Sequence, residues 1–297
     1  MNAAFSNRQR GMVLVIVLWI ITLLAMMAGG FAYSMRVETR LATSTVERAQ
    51  ARALAEAGAV YALAWQLDPE MQKQWPANGD THDWEFGGGR VRIRAEDAAG
   101  RINLNQADPQ LLRQVLLGVG VEEAEAERLA LAIADWRDPD DQTGSGGAES
   151  AEYHNAGRPG PKNAPFDSVD ELQQIPGMAP EVAQRLVELT TTETLMAGID
   201  SRLASLAVLR AVTGLDEKTL ADYVNVRAQT ASDGTPPPPL PMNPASPFFS
   251  GSPSGVYHIG VTAQVGAGAT VSAETVASTQ NPPPGQAVRW LSWRLTR

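Results

Sequence analysis

Residues 8–36, RQRGMVLVIVLWIITLLAMMAGGFAYSMR, decide the architecture of this chain. From Met12 to Ala32 there is no charge, and these 21 residues reach roughly 31 Å as a helix, about the thickness of a bilayer's hydrocarbon core. Arg8 and Arg10 precede the run and a polar body follows it, which places the N-terminus in the cytoplasm. Beyond Arg36 the helical pattern continues without a proline to Leu67. Val37, Leu41, Val46, Ala49, Leu54, Ala57, Val60, Ala64 and Leu67 recur at three- to five-residue spacing and predict one apolar stripe. Met12 to Leu67 therefore reads as a single helix of about 84 Å, half in lipid and half packed on a domain, with Gly29-Gly30 a point of loosening. A cleaved secretory signal ending near Gly30-Phe31-Ala32, or an anchor followed by an independent helix, are the competing readings.

Arg10-Gly11-Met12 favours a third reading. A short basic leader ending in Gly directly before the apolar run resembles the cleavage site of type IV prepilin-like proteins, cut between Gly11 and Met12 on the cytoplasmic side. Most such proteins carry Glu at the fifth mature position, where it neutralises a neighbour's N-terminal ammonium. Here that position is Ile16. An unpaired ammonium in an apolar core is costly, so a subunit lacking the carboxylate suits the end of a filament rather than its shaft.

The remainder has a split organisation. Trp84-Glu85-Phe86, a turn at Gly87-Gly88-Gly89, and Arg90 to Ala95 predict two short strands, with Val91, Ile93 and Ala95 on one face and arginines on the other. Strand signals return at Tyr257, Ile259, Val261, Ala263 and Val265, before a turn at Gly266-Ala267-Gly268, and again at Val288 and Trp290 to Trp293. The tail thus completes a sheet begun before residue 100. The stretch 101–231 is a helical insert, and 232–255, with four consecutive prolines, reads as an extended spacer.

Three units within the insert each carry an apolar helix, a turn and a second helix: 102–137, 168–189 and 199–227. Ile175-Pro176-Gly177-Met178 resembles a helix-hairpin-helix signature, whose helix N-terminus can hold a DNA phosphate. Acidic residues sit beside the turns where cations are usual: Glu122, Glu123, Glu125 and Glu127, then Glu181, then Asp216 and Glu217 with Lys218 the lone cation. With a formal charge of −9, nucleic acid is an unfavoured partner and compact scaffolding the favoured use.

Between the first two units lies a polar, glycine-rich loop with Asp138, Asp140, Asp141, Glu149 and Glu152. Carboxylates this dense repel one another unless a cation holds them, and calcium suits hard oxygen ligands. From Asp138 as position 1, Asp140 falls at 3, Gln142 at 5 and Glu149 at 12, a partial match to an EF-hand loop, although Thr143 replaces the turning Gly. A solvated acidic loop is the plainer reading. No aromatic cluster accompanies the loop in sequence, His82, His154 and His258 stand apart, and no phosphate loop occurs; the chain reads as non-enzymatic. It has no cysteine, which removes disulfides, thiolate metal sites and cysteine nucleophiles.

These features together resemble the K-type minor pseudopilin of the type II secretion system. The specific portion is Gly100-Arg101-Ile102-Asn103-Leu104-Asn105, then ADWRDPDD with GGAE, then FDSVDEL. The resemblance implies an α+β fold: a pilin-like long N-terminal helix packed on a small antiparallel sheet, interrupted by a large helical insert with helix-hairpin-helix-like repeats. It implies segments 1–11 (leader), 12–67 (transmembrane and pilin helix), 68–100 and 256–297 (sheet), 101–231 (insert) and 232–255 (linker). It further implies calcium at Asp138, Asp140, Asp141 and Glu149, with Glu152 less directly matched. The expected place is the bacterial inner membrane, single-pass, with the bulk of the chain periplasmic. The expected role is at the pseudopilus tip, promoting initiation and export across the outer membrane. Expected partners are the I- and J-type minor pseudopilins, the major pseudopilin, the inner-membrane assembly platform, the prepilin peptidase and the bilayer. The alternative is a minor pilin of a DNA-uptake or adhesive pilus.

Overall fold

The computed structural model describes residues 9–140, 147–232, 235, 237–241, 247–266 and 268–296. Its first element, α1 (Gln9–Leu67), is one unbroken helix of 59 residues that passes through Gly29-Gly30 without interruption. A short α2 (Pro69–Gln74) follows, its N-terminus capped by the Asp68 carboxylate, and leads into β1 (Asn78–Phe86) and β2 (Gly89–Asp97). The strands are longer than the sequence pattern alone marked. Gly87 and Gly88, with φ of 57° and 77°, make the two-residue turn that only glycine accommodates cheaply at both positions.

The chain then leaves the sheet. It forms β3 (Ile102–Asn103), α3 (Pro109–Gly118), α4 (Glu123–Arg137), α5 (Ser150–Asn155), α6 (Pro180–Leu189), β4 (Thr190–Thr191), α7 (Leu206–Thr213) and α8 (Glu217–Ser232). It returns as β5 (Val256–Val265), β6 (Ala269–Ser278) and β7 (Arg289–Thr296). The main sheet is antiparallel with order β1-β2-β5-β6-β7, so the strands on either side of the insert are neighbours and the excursion leaves the sheet continuous. A two-residue parallel pair, β3 with β4, ties the start of the insert to the end of α6.

Two cores result. One lies between α1 and the sheet, around Leu54, Leu63, Val91, Ile93, Ile259 and Val261. The other fills the insert, around Leu111, Leu129, Ile133, Leu172, Ile199 and Leu209.

The buried face of α1 corrects the predicted stripe. Ala51, Leu54, Ala55, Gly58, Ala59, Ala62 and Leu63 face the sheet, whereas Val46, Val60 and Leu67 are exposed, Val46 to 65%. The cause is close approach: a Cβ on Gly58 would lie 2.8 Å from Val91 Cγ1 and 2.9 Å from Val261 Cγ1. Only small residues let the helix axis come so near.

The predicted spacer is also not free. The Ile199 N–H donates to the Phe248 carbonyl at 2.8 Å, and Leu240, Phe248 and Phe249 pack on the insert core. These apolar residues hold the return path against the helices. In the second helical unit, the first half is a 3-10 turn at Val169–Gln174 rather than an α-helix.

Candidate functional site: the uncovered helix and the acidic loop

The first candidate surface is the N-terminal half of α1. Every residue from Met12 to Thr43 is exposed, including Ile16, Trp19, Leu23 and Phe31. The helix is a candidate membrane span, with its uncharged run from Met12 to Ala32 inside this exposed part. Helix geometry runs unbroken from Gln9 across Gly11 and Met12, while the leader residues 1–8 lie outside the described residues. An apolar surface of this length has no partner in its own fold, and lipid or other helices of the same kind are what it can bury against.

The second candidate is the acidic loop, and the residues of the specific sequence motifs build its frame. A Cβ at Gly100 would lie 2.5 Å from the Leu203 carbonyl, so the chain passes there at backbone contact distance. Buried Asn103 donates through Nδ2 to the Thr194 carbonyl at 2.6 Å. Asn105 exchanges two bonds with the Phe166 backbone, at 3.0 and 2.7 Å. At the end of α4, the Arg137 guanidinium donates to the Leu104 and Ala107 carbonyls, and Trp136 Nε1 donates to Glu171 at 3.1 Å. Glu171 also accepts from the Asp167 N–H at 2.9 Å and from Lys162. Motifs far apart in sequence thus interlock around one loop.

The acids respond to this frame unequally. Asp138 closes α4 and is exposed, as are Asp140 and Glu152. Glu149 is only 3% exposed and begins α5, where the Glu152 carboxylate accepts from its N–H at 3.0 Å. Asp141 lies outside the described residues. Sequence reasoning missed Asp135, which α4 points inward: its Oδ2 accepts from the Ala148 N–H at 2.9 Å. Burial first, and then the charges of Asp138, Asp140 and Glu152, push the Asp135 carboxyl above its ordinary range, although the Ala148 N–H works against them. The signal lay in Asp135-x-x-Asp138-x-Asp140, read as helix end plus loop. Among the described residues, no three acids or histidines converge into a group able to hold a metal.

Two further expectations are corrected. An aromatic cluster does accompany the loop: Trp136 lies 5.8 Å from Tyr153 and 6.0 Å from Phe166, centroid to centroid, brought together by folding. His258 is not isolated either. Its Nε2 lies 3.2 Å from Thr191 Oγ1 and 3.5 Å from Glu193 Oε2, joining sheet to insert. Burial opposes the charge on Glu193, but hydrogen bonds from His258 and Thr191 prevail and hold its carboxyl at about 2.

Two of the three hairpin turns are covered by side chains, whereas nothing lies within 4 Å of a Cβ added at Gly214 in the third. Arg128 of α4 donates to the Pro176 carbonyl at 3.3 Å and pairs with Glu125 across Gly177; a Cβ at Gly177 would fall 3.2 Å from Glu125 Oε1. Reciprocally, Arg185 of α6 donates to the Val119 carbonyl at 2.7 Å. These two hairpins thus exchange arginines at their turns, and the Glu125 carboxylate stands beside Gly177.

A family model described as type II secretion system protein K matches residues 94–193, the stretch that frames the acidic loop. The chain is 28% identical over 254 residues to the type II secretion system protein K of Klebsiella pneumoniae, covering 77% of each. It is 28% identical over 216 residues to the putative type II secretion system protein K of Escherichia coli strain K12, covering 63% of this chain and 65% of that one. In three dimensions it is similar to a chain of the GspK-GspI-GspJ complex from the type 2 secretion system of enterotoxigenic Escherichia coli. The TM-score is 0.54 at 14% identity, over 86% of this chain and 98% of that chain.

Proposed function

Because the chain belongs to the K-type minor pseudopilins of the type II secretion system, we propose that it occupies the pseudopilus tip, promotes initiation of that filament and so supports protein export across the outer membrane. The observation that carries the reading is α1: one helix, uncovered from Met12 to Thr43, then packed on the sheet from Ala51. Ile16 in place of a carboxylate supports an end position, since it leaves a neighbour's ammonium unneutralised. The GspK-GspI-GspJ complex of enterotoxigenic Escherichia coli supports I- and J-type partners here. In this reading the major pseudopilin and the inner-membrane platform meet the uncovered helix. The prepilin peptidase cuts between Gly11 and Met12, after which the new N-terminus is methylated. The chain stands in the inner membrane with its N-terminus cytoplasmic and its bulk periplasmic. No reaction is assigned to it.

Calcium belongs to the same proposal. Its support is the chemistry of the acids and not a formed site, since the described carboxylates do not converge: Asp135 and Glu149 are withdrawn from water, and Asp138, Asp140 and Glu152 add negative charge near Asp135. A bound cation would offset both the burial and the neighbouring charges that raise Asp135. The two covered hairpin turns speak against the DNA-uptake alternative.

The experiment is N-terminal sequencing and intact mass of the membrane-extracted chain made beside a prepilin peptidase, followed by co-purification with I- and J-type pseudopilins. A chain starting at Met12 that carries both partners is the expected result. A chain starting at Met1, or beyond Ala32, overturns it.

A further inference from the structure

The main sheet ends in two edges of opposite chemistry. At one edge, β1 points Asp83 and Glu85 to the outer face, opposite Arg92 and Arg90, and turns His82, Trp84 and Phe86 toward the α1 side. That aromatic row is covered from within: Tyr61 of α1 stacks on Trp84 at 4.3 Å, and Trp65 lies 5.6 Å from His82.

The other edge, β7, is not covered in this way. It is last in the strand order, and its outer side pairs with no strand among the described residues. Of its residues whose exposure is described, none is buried; Trp290 is 40% exposed and Leu295 48%. It contains no proline, and its one irregularity is a shift in register opposite Val276 and Ala277. Natural proteins rarely leave a strand edge this long and this apolar without a cover.

The register shows what cover would fit. Trp290, Trp293 and Leu295 pair with Ala277, Thr275 and Ala273, which puts them on the α1 side. Arg289 and Arg294 pair with Ser278 and Glu274 and lie on the outer side. The strand carries no carboxylate, in a chain whose formal charge is −9. A strand added along β7 sets its own side chains alternately on these two faces. Apolar residues would meet the tryptophans, and carboxylates would meet the arginines. Asp170 of the insert already reaches Arg294 at 3.5 Å, so an acid is accommodated beside this arginine.

We propose that β7 is a docking edge which accepts, by strand addition, an extended segment of a different subunit that alternates apolar and acidic residues. This chain's own β1 has that composition, but a second copy is the poorer occupant. Joined β7 to β1, two copies would make a head-to-tail contact that still leaves one β7 edge open, and joined β7 to β7 they would set arginines near arginines. A different subunit satisfies the edge once. The inference does not depend on the tip assignment.

The test uses the full-length chain in lipid nanodiscs and backbone amide exchange across residues 288–297. Three samples are compared: no peptide, a synthetic peptide alternating Val with Asp or Glu, and the same peptide with Lys in place of the acids. Exchange in β7 is expected to slow by about tenfold or more with the saturating acidic peptide alone. The double variant Arg289→Gln/Arg294→Gln, both positions being exposed and no new charge being set against Glu274 or Asp170, should remain folded and lose the preference for the acidic peptide over the Lys peptide. In the parent, no slowing with either peptide, equal slowing with both, or slowing that grows with the chain's own concentration in the absence of peptide would overturn the proposal.

Discussion

The Asp97 carboxylate accepts from both the N–H and the hydroxyl of Ser254, 157 residues further along the chain. Asp97 ends β2, where the chain departs for the insert, and Ser254 immediately precedes its return in β5. Asp97 also accepts from the Ala99 N–H at 2.8 Å and is 1% exposed. One buried carboxylate therefore pins both crossings between the two cores. Asp97→Ala should cost about 3 kcal/mol, because several buried donors lose their acceptor together. Ser254→Ala leaves the Ser254 and Ala99 N–H groups paired with Asp97 and removes only the hydroxyl, which also accepts from the Val256 N–H at 3.0 Å; it should cost about 1–2 kcal/mol. Urea denaturation of the two variants measures the difference; equal losses would contradict the pinning role.

Gly58→Ala is expected to destabilise by about 1–3 kcal/mol through overpacking against Val91 and Val261, despite a gain of up to about 1 kcal/mol in helix propensity. Gly30→Ala is the control, since nothing lies within 4 Å of its added methyl. Thermal unfolding in detergent should show a lower Tm for the first alone. An unchanged Tm at Gly58 would mean that the helix sits further from the sheet.

Acid should weaken the join between insert and sheet. Glu193 is held at about 2 against an ordinary 4.5, so its folded carboxyl is depressed and contributes stability above about pH 4.5. That contribution is lost as pH falls from about 4.5 through about 2. Glu96, whose burial is outweighed by Arg101 and Arg94, acts with the same sign. Glu193→Gln should flatten the stability profile across this window, as read from denaturant midpoints at successive pH values. A profile as steep as the parent's would remove Glu193 as its cause.

Asp135 has the opposite sign. Its raised carboxyl costs stability at neutral pH, and that cost is relieved as pH falls through its folded value. Asp135→Asn should therefore raise Tm in the presence of a chelator. For the parent, calcium at a hundred times its Kd should add about 2.7 kcal/mol, and the variant should lose most of that increment. Equal calcium shifts in the two proteins would exclude Asp135 from the site.

Sequence and structure agree best where burial demands large apolar residues. The Met12–Ala32 run made α1 legible, and strict alternation made β5 legible. The sheet-facing side of α1 was not legible, because Ala51, Ala55, Gly58 and Ala62 carry no strong hydrophobic signal and matter for their smallness. β6, ATVSAETVAS, escaped for a related reason: its small and hydroxyl side chains fill a central strand flanked on both sides. The acidic loop was visible as composition. Asp135 was not, since whether a helical acid points inward depends on the packing of α4 against chain segments remote in sequence. The Glu193–His258 contact spans 65 positions and leaves no local trace.

The continuity of α1 has a mechanical consequence. A jointed anchor works as a tether, passing tension but no torque. This helix has no joint: its latter part is clamped beneath a sheet by methyl-sized contacts, while its apolar part projects as a free arm. It is a cantilever. Any rotation or tilt imposed on the arm by neighbouring helices must turn the sheet with it, and through Asp97 and Ser254 the insert as well.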